Sequence, residues 1–428
     1  MPLSQVSHKI KVLHFVEYWL PVTENWLYNH ITSLSDSIES HVVCQWTENL
    51  ETFPTERLRS SNAPPRESSL LRKALRRMRI RDDAERHFPL MREVIRDVRP
   101  DILHSHFGHF GWVNRRIAAE TGLPHVVSFY GLDVGYLPQT DARWISRYRD
   151  MSATLTLALC EGPFMARSMS SVGIDSSKIE IFRLGIDLKK AHFRPRENPT
   201  NRPLRFLIAG SFREKKGIPY AIEALGLFRR MNPNTNFEIT VVGDAGTEPR
   251  EQREKESIMA QVKKYGLESR IRFKGYQPHD SLRSQFYSND IFVSPSVTAR
   301  DGDSEGGAPV SIIEAAASGM PIVSTQHCDI PYILSEMNEP FLAPEHDPVR
   351  LCDAIIKLVA LRDWMPLLTA NRELIERELE LGKQGQKLAT IYERVASRDS
   401  HRNIKHGLSD QDPNSLEDRV VASSIRTH

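Results

Sequence analysis

The chain has 428 residues, of which 40% are hydrophobic and 26% are charged, and its formal net charge at pH 7 is +2. These values indicate a globular protein with two or three domains, and the near-neutral charge gives no general attraction for nucleic acid. The four cysteines lack zinc-type spacing, the start lacks a signal-peptide pattern, and no apolar run is long enough to span a bilayer. We therefore expect a cytoplasmic protein with reduced thiols.

Short apolar runs rich in β-branched residues alternate with helical patterns along most of the chain. In the first half, the predicted strands lie at residues 11–18, 41–46, 101–107, 125–130, 154–160 and 179–186. In the second half, they lie at residues 205–211, 236–242, 270–275, 290–296, 321–325 and 341–343. Such alternation predicts buried parallel sheets with helices on both faces.

A polar, proline-rich stretch at residues 194–203 separates the two sets of strands and is typical of an interdomain linker. We therefore predict an α/β protein with two doubly wound, Rossmann-like domains that face each other across a cleft. The N-terminal domain would span residues 1–198 and the C-terminal domain residues 199–381. Ligands of such sheets bind beyond the carboxyl ends of the strands, so functional residues should lie there.

Residues 70–81 form a basic amphipathic pattern within the first domain. Leu71, Leu75 and Met78 share one helical face, and basic side chains lie mostly around the other. A helix of this kind can lie on anionic lipid, which would give a peripheral contact at the inner face of the membrane. The alternative, which we slightly favour, is a solvated helix that packs on its own domain.

Histidines lie at the end of the third predicted strand. His106 could donate a hydrogen bond or move a proton, because imidazole titrates near neutrality. A buried structural histidine is an equally good interpretation. A zinc site made from His104, His106 and His109 is poorly supported, because no carboxylate or cysteine stands at a suitable spacing.

Gly210 ends the first predicted strand of the second half, and Arg213 and Lys216 follow it before a helical pattern at 218–230. Either cation could neutralise negative charge on a leaving group. The alternative is a solvated surface loop. The position at the carboxyl end of a strand favours binding.

The segment from Glu305 to Gly319 carries the most informative pattern. Glu305, Gly306 and Gly307 precede a short apolar run that contains Glu314. A loop followed by a helix would offer free backbone N–H groups to a phosphate, and the glycines would allow its close approach. The two carboxylates could accept hydrogen bonds from sugar hydroxyls. The pattern indicates a nucleotide-sugar site; the alternative is a buried helix with Glu314 as a solvated or capping group.

In order and spacing, these motifs resemble those of the retaining family-4 glycosyltransferases, which have the GT-B fold. The resemblance covers about residues 11–396. It rests on Gly210 with Lys215-Lys216-Gly217, on residues 241–244, 273–276 and 292–296, and on Glu305 with Glu314-Ala-Ala-Ala-Ser-Gly-Met-Pro-Ile-Val. The loops at 20–26, 104–108 and 129–133 resemble those of members that build bacterial surface polysaccharides.

The resemblance implies roles for particular donor-site residues. Lys216 would bind the donor diphosphate, Glu305 would lie near the donor sugar, and Glu314 would bind the ribose hydroxyls. Tyr276 and Gln277 would border the base.

In the N-terminal half, the resemblance places Thr23, Glu24, Tyr130 and Asp133 on the acceptor side. The chain departs from the family pattern in three places. Ser211 replaces the usual arginine, so that Arg213 is expected to substitute for it. One extra residue separates the two glutamates, and Tyr130 replaces the usual histidine.

The predicted function is a retaining, metal-independent hexosyltransferase that acts in polysaccharide biosynthesis without a cofactor. It would move a sugar from a nucleoside diphosphate sugar to a saccharide or lipid-linked saccharide. Lys216, Arg213 and the helix N-terminus near Gly307 would supply the positive charge. One alternative is a nucleotide-sugar 2-epimerase of the same architecture, which would act on the donor alone. The other is a non-catalytic subunit that binds nucleotide sugar.

The end of the chain contains one more helical pattern. Leu388, Ile391 and Val395 share an apolar face within a helix predicted at about 382–397. Together with the resemblance, this predicts that the helix crosses back to complete the N-terminal domain. Residues 398–428 are polar and are predicted to be a disordered tail.

Overall fold

The computed structural model describes residues 9–21, 24–61 and 85–407, with side chains up to Ser397. Thr23 and the basic helix predicted at 70–81 therefore lie outside the described residues, as do residues 408–428 of the predicted tail. No helix within the described ranges is both long and apolar enough to cross a membrane. All four cysteines are buried free thiols.

The first sheet has seven parallel strands. They are Ile10–Trp19 (β1), Ile38–Thr47 (β2), Leu58–Ser60 (β3), Ile102–His106 (β4), His125–Ser128 (β5), Leu157–Cys160 (β6) and Ile179–Ile181 (β7). Their order in the sheet is β3-β2-β1-β4-β5-β6-β7. The register aligns Val12 with Ile102 and His14 with His104, so that histidines of neighbouring strands lie side by side.

The second sheet has six parallel strands. They are Leu204–Ala209 (β8), Phe237–Val242 (β9), Ile271–Phe273 (β10), Ile291–Ser294 (β11), Ile322–Thr325 (β12) and Leu342–Ala343 (β13). Their order is β10-β9-β8-β11-β12-β13. In both sheets the order reverses beside the first strand, at β1/β4 and at β8/β11, so both sheets are doubly wound. The predicted fold class is confirmed, and the bounds assigned to the domains stay predictions.

Helices connect the strands and cover the sheets. They are Asn25–Thr32 (α1), Phe88–Val98 (α2), Gly108–Thr121 (α3), Tyr136–Thr140 (α4), Arg143–Thr154 (α5), Pro163–Ser171 (α6), Ile218–Met231 (α7), Pro249–Tyr265 (α8), His279–Ser288 (α9), Val310–Ala317 (α10), Pro348–Ala360 (α11), Met365–Glu378 (α12) and Leu381–Gly407 (α13). Helices α6, α8 and α11 begin at a proline. At the first position of a helix the backbone N–H makes no intrahelical hydrogen bond, so proline, which lacks it, is well tolerated there.

The core lies on both faces of each sheet. In β8, Phe206 and Ile208 pack into one apolar cluster, whereas Leu207 and Ala209 pack into another on the opposite face. Successive side chains of a strand point to opposite faces, so a strand buried on both sides must be apolar throughout. This explains why the strands appear in the sequence as continuous apolar runs.

The last helix, α13, packs on the N-terminal sheet. Leu388, Ile391, Tyr392 and Val395 are buried in a cluster with residues of β1, β2, β4, β5 and β6. The helix continues to Gly407, so residues 398–407, which were predicted to belong to the disordered tail, are helical instead.

The two chain crossings between the domains lie side by side. The backbone N–H of Ile186 donates to the carbonyl of Leu379, and the N–H of Leu381 donates to the carbonyl of Ile186, both at 2.9 Å. The two segments run parallel as a short bridge between Ile186 and Glu380. The segment predicted as a linker, residues 194–203, follows the first crossing and packs on the C-terminal domain. There the buried side chain of Arg196 donates a hydrogen bond to the carbonyl of Ser318 at 2.7 Å.

Candidate active site

The segment from Glu305 to Gly319 folds as a loop followed by a short helix at the β8/β11 reversal. Helix α10 begins at Val310, directly after Pro309, and Gly319 lies just past its C-cap with φ +81°. The loop follows strand β11, at the edge of the sheet where ligands of open parallel sheets bind. The loop and helix predicted for this segment are confirmed.

An ion pair between Lys216 and Glu305 lies at this edge. Lys216 Nζ is 2.8 Å from Glu305 Oε1 and 3.0 Å from its Oε2, and the Ser296 hydroxyl donates to Oε1 at 3.0 Å. Burial alone would raise the pKa of Glu305, but the positive charges of Lys216 and Lys215 outweigh it and lower that pKa to about 2. Glu305 is therefore ionised at neutral pH and holds the ammonium group in place.

A histidine fixes the backbone of the same loop. The N–H of Glu305 donates to His327 Nε2 at 3.2 Å, and His327 Nδ1 lies 2.7 Å from Glu345 Oε1. Because Nε2 accepts a hydrogen bond, the Nδ1–H donates to Glu345. The position of Glu305 is thus set through both its side chain and its backbone.

Arg213 and Lys215 share one buried carboxylate. Arg213 Nη2 is 2.5 Å from Asp303 Oδ2, and Lys215 Nζ is 3.1 Å from Asp303 Oδ1. Within the described part of the chain, Arg213 Nε has no hydrogen-bond partner. Gly210 lies directly after β8, where an added Cβ would approach the Lys216 side chain to 3.3 Å. The two predicted cations are therefore held by carboxylates, Arg213 by Asp303 and Lys216 by Glu305.

The N-terminal domain contacts the glycine loop closely. Gly306 has φ +74°, and an added Cβ there would lie 2.0 Å from Gly131 Cα. An added Cβ on Gly307 would lie 1.9 Å from Glu161 Oε2. Because only glycine leaves room for these approaches, the loop is built for close contact on the cleft side.

The domains exchange two carboxylates across the cleft. Glu161, directly after β6, accepts a hydrogen bond from the N–H of Ala308 just before α10, and burial together with nearby Asp329 raises its pKa to about 8. Asp329, in the C-terminal domain, accepts from the N–H groups of Phe164 and Met165 at 2.8 and 3.3 Å. These donors open α6, so each domain supplies a carboxyl group that accepts from backbone N–H groups at a helix start of the other.

Glu314 and the residues predicted to border the base lie on neighbouring elements. Glu314 is 8% exposed, and its Oε1 is 2.9 Å from Nε2 of His279, the first residue of α9. Tyr276 and Gln277 lie in the loop that leads into α9. The Tyr276 residue is 54% exposed, and the Gln277 amide donates to the carbonyl of Lys274 at 2.7 Å.

His106 ends β4 beneath the surface of the cleft. It is fully buried, with its Nε2 3.1 Å from His14 Nδ1 and its Nδ1 2.8 Å from the Tyr130 hydroxyl. Burial, together with His14 and His30, lowers the pKa of His106 well below its ordinary value. The imidazole is therefore neutral at pH 7, and its link to the cleft runs through Tyr130.

Three buried histidines approach one another, but in a different combination from the one considered in the sequence. His14, His104 and His106 offer ring nitrogens that all lie within 4.8 Å of one another. His104 Nδ1 is 2.6 Å from the Tyr392 hydroxyl, and its Nε2 is 2.8 Å from the Ser128 hydroxyl. With both nitrogens of His104 and of His106 in hydrogen bonds, the group forms a buried polar network. Metal independence stays a prediction.

Asp133 supports the 130–133 turn. It is fully buried, and it accepts hydrogen bonds from the Tyr130 N–H at 2.9 Å and from His109 Nδ1 at 3.2 Å. Its carboxylate points into the turn, where it supplies the acceptor that these buried donors need. Asp133 therefore shapes the loop that carries Tyr130 and Gly131, and its acceptor-side role stays a prediction.

Glu24 directly precedes α1 on the same side of the cleft. Burial and the neighbouring carboxylates Glu17 and Glu48 raise the pKa of Glu24 to about 7. Near neutral pH its carboxyl group is therefore divided between the protonated and ionised forms. Of the four residues predicted on the acceptor side, Thr23 alone lies outside the described residues.

Comparison with known proteins identifies the chain. A family model described as Glycosyltransferase Family 4 matches residues 23–190, and one described as Glycosyl transferases group 1 matches residues 203–360. The two matches lie on either side of the linker and include most of both sheets. The chain belongs to glycosyltransferase family 4. The amylovoran biosynthesis glycosyltransferase AmsK of Erwinia amylovora is 29% identical to this glycosyltransferase over 299 residues, which is 69% of this chain and 70% of AmsK.

Solved structures share the fold of this glycosyltransferase. Sucrose-phosphate synthase from Thermosynechococcus elongatus has a TM-score of 0.70 at 16% identity and covers 91% of this chain and 100% of its own. HepE from Anabaena, solved in complex with UDP and glucose, has a TM-score of 0.69 at 16% identity and covers 90% of this chain and 100% of its own. At these identities the similarity concerns the architecture, which is GT-B.

Several residues of this glycosyltransferase site were assigned no role from the sequence. They are Asn25, Glu161, His279, Ser296, Asp303, His327, Asp329 and Glu345. Asn25 and Ser296 lie in segments that resemble the family, and the others are ordinary polar residues whose partners lie elsewhere in the fold, some of them in the other domain. The positions of β6 and β12 in the sheets could have pointed to Glu161 and Asp329, because both residues follow strands whose carboxyl ends meet the cleft.

Proposed function

We propose that this glycosyltransferase moves a sugar from a nucleoside diphosphate sugar to a saccharide or lipid-linked saccharide during synthesis of a surface polysaccharide. The observation that carries the proposal is the Lys216–Glu305 ion pair beside the glycine loop, at the β8/β11 reversal and opposite Gly131. The similarity to AmsK supports the polysaccharide context, and the complex of HepE with UDP supports a nucleotide-linked donor.

The donor would lie along the carboxyl edge of the second sheet. Lys216 and Arg213 would contact the diphosphate, and Gly210 would leave room beside the Lys216 side chain. The backbone of Gly306 and Gly307 would face a phosphate oxygen. Glu314 would accept hydrogen bonds from the ribose hydroxyls, and Tyr276 and Gln277 would border the base. Glu305 would meet the sugar hydroxyls.

Cleavage of the donor would leave negative charge on the diphosphate, which Lys216 and Arg213 would stabilise. Glu305 would stay ionised, so it would orient Lys216 and the sugar without giving up a proton. We propose transfer with retention of the anomeric configuration and without a bound metal; the family resemblance supports retention, and the cluster of fixed cations supports metal independence.

The acceptor would approach from the N-terminal domain. Glu24, with a pKa near neutrality, and Tyr130 would contact its hydroxyl groups, with Thr23 beside them. Asp133 would hold the Tyr130 loop, and His106 would act through the Tyr130 hydroxyl, with which it shares a hydrogen bond. Peripheral contact with a membrane through residues 70–81 stays a prediction.

The test begins with a donor screen by thermal shift, because a ligand that binds the folded state raises the melting temperature. UDP-, GDP- and ADP-sugars would each be tried, and the best donor would then be incubated with lipid-linked saccharide acceptors. We expect a lengthened acceptor, an α-linkage from an α-linked donor by NMR, and the same rate with EDTA. An epimerised donor recovered without acceptor, or donor binding without any transfer across the acceptor panel, would contradict the proposal.

A further inference from the structure

His279 contacts Glu314 within the C-terminal domain and Asn25 across the cleft. It begins α9, and its Nε2 lies 2.9 Å from Glu314 Oε1 and 3.0 Å from Oε2. The Glu314 side chain is 11% exposed and the His279 side chain 30%. A carboxylate this deeply buried needs a donor to offset its lost hydration, and the imidazole supplies it.

The neighbours of His279 determine which nitrogen carries the proton. Arg283 Nη2 is 3.2 Å from His279 Nδ1, and a guanidinium can only donate. The Nδ1 atom therefore accepts, and in the neutral imidazole the Nε2–H points at Glu314. Arg283 Nη2 also lies 2.6 Å from Asp280 Oδ1, and this ion pair helps to hold the guanidinium beside the imidazole ring.

The second contact of His279 crosses the cleft. The amide nitrogen of Asn25, the first residue of α1, lies 3.2 Å from His279 Nδ1. The same amide nitrogen lies 3.4 Å from His279 Nε2, so the Asn25 amide contacts the imidazole beside both ring nitrogens, from a residue 254 positions away in the other domain. The Asn25–His279–Glu314 chain can form only while the two domains are together.

We propose that His279 is a positioning residue that orients Glu314 for the donor nucleoside and, through Asn25, couples occupancy of that position to closure of the domains. The inference rests on the proposed binding of ribose hydroxyls by Glu314. A carboxylate has about four lone-pair sites, so the Nε2–H can hold it while the ribose diol uses the remaining sites. A ligand at Glu314 therefore stabilises the imidazole in the orientation that Asn25 needs.

The first experiment measures nucleotide affinity by calorimetric titration of the full chain with UDP, GDP and ADP. The nucleotide that binds most tightly is then used with the variants. His279→Ala should weaken binding about tenfold, the loss expected for a hydrogen bond to a charged group. His279→Gln, which keeps an N–H donor, should stay within about threefold of wild type. The exposed His192→Ala serves as the matched control and should bind as wild type.

A double-variant cycle shows whether His279 acts through Glu314. Glu314→Gln should weaken binding, and adding His279→Ala to it should weaken binding little further. Nucleotide binding unaffected in Glu314→Gln would overturn the proposed ribose contact itself. Weakened binding in Glu314→Gln with unchanged binding in His279→Ala would overturn the inference about His279 and leave the proposed function standing.

The cross-domain arm uses Asn25→Ala, which keeps a good helix former in α1. We expect nucleotide affinity to fall about two- to threefold and kcat to fall several-fold, because the closed state is less populated and coupling between closure and occupancy acts in both directions. Small-angle scattering should show a smaller nucleotide-induced decrease in radius of gyration than in wild type. A wild-type kcat together with wild-type compaction would overturn the coupling through Asn25.

Discussion

At the scale of single residues, Lys216 carries most of the proposed chemistry. Lys216→Ala should lower kcat/KM for transfer, with a loss of about 2–4 kcal/mol in transition-state stabilisation, because it removes a fixed charge from beside the leaving diphosphate. Initial rates measure this loss, with the exposed Lys357→Ala as the control. Lys216→Arg keeps a charge beside Glu305 and should fold normally, which separates lost catalysis from lost stability. Wild-type turnover in Lys216→Ala would exclude the assigned role.

His30 is a residue whose effect should depend on pH. It is buried, neither ring nitrogen has a partner within the described residues, and burial lowers its pKa to about 3. The unfolded chain binds a proton below about pH 6.5, so the folded state loses stability as pH falls from there towards 3. His30→Leu should therefore raise the free energy of unfolding by about 1–2 kcal/mol at pH 5 and by less at pH 7.5. Urea unfolding at both pH values is the measurement, and an equal gain at both would refute the titration argument.

At the scale of elements, helix α13 predicts where the chain can be shortened. A chain ending at Ser397 keeps every side chain of the helix that the structure describes as buried, so it should remain soluble and active. A chain ending at Leu381 loses Leu388, Ile391 and Tyr392, each of which contributes about 1.5–3 kcal/mol of apolar burial. It should aggregate or lose activity, as judged by size-exclusion chromatography and transfer assays. A soluble, active protein ending at Leu381 would show that the helix is dispensable.

The elements themselves were largely predictable, because strands buried on both faces must be apolar throughout. Each of the twelve strands predicted from the sequence overlaps a strand of the structure. Strand β3 was missed, since Leu58–Ser60 is three residues at a sheet edge and carries no pattern. The Glu305–Gly319 segment was predictable because glycine and carboxylate spacing there is local. The contacts of His279 and Glu161 were not, because they depend on how two separately folded sheets face each other.

At the scale of the whole molecule, the exchanged carboxylates should make opening sensitive to pH. In the closed state the pKa of Glu161 is about 8 and that of Asp329 is raised by burial, whereas both would return to ordinary values in water. Closure is therefore most favoured at low pH and weakens as pH rises towards about 8, because opening releases protons. The radius of gyration should increase between pH 6 and 9 in wild type and change less in Glu161→Gln. An identical pH dependence in the variant would refute the role of Glu161.

The paired crossings at Ile186 and Glu380 have a mechanical consequence. Two hydrogen-bonded chain segments side by side behave as a ribbon, which bends easily out of its plane but resists bending within it, where one strand must stretch as the other shortens. Relative motion of the domains is thereby restricted in direction as well as in amplitude. The cleft should swing along one preferred path, so that Gly131, Glu161 and Asn25 return to the same partners after each turnover.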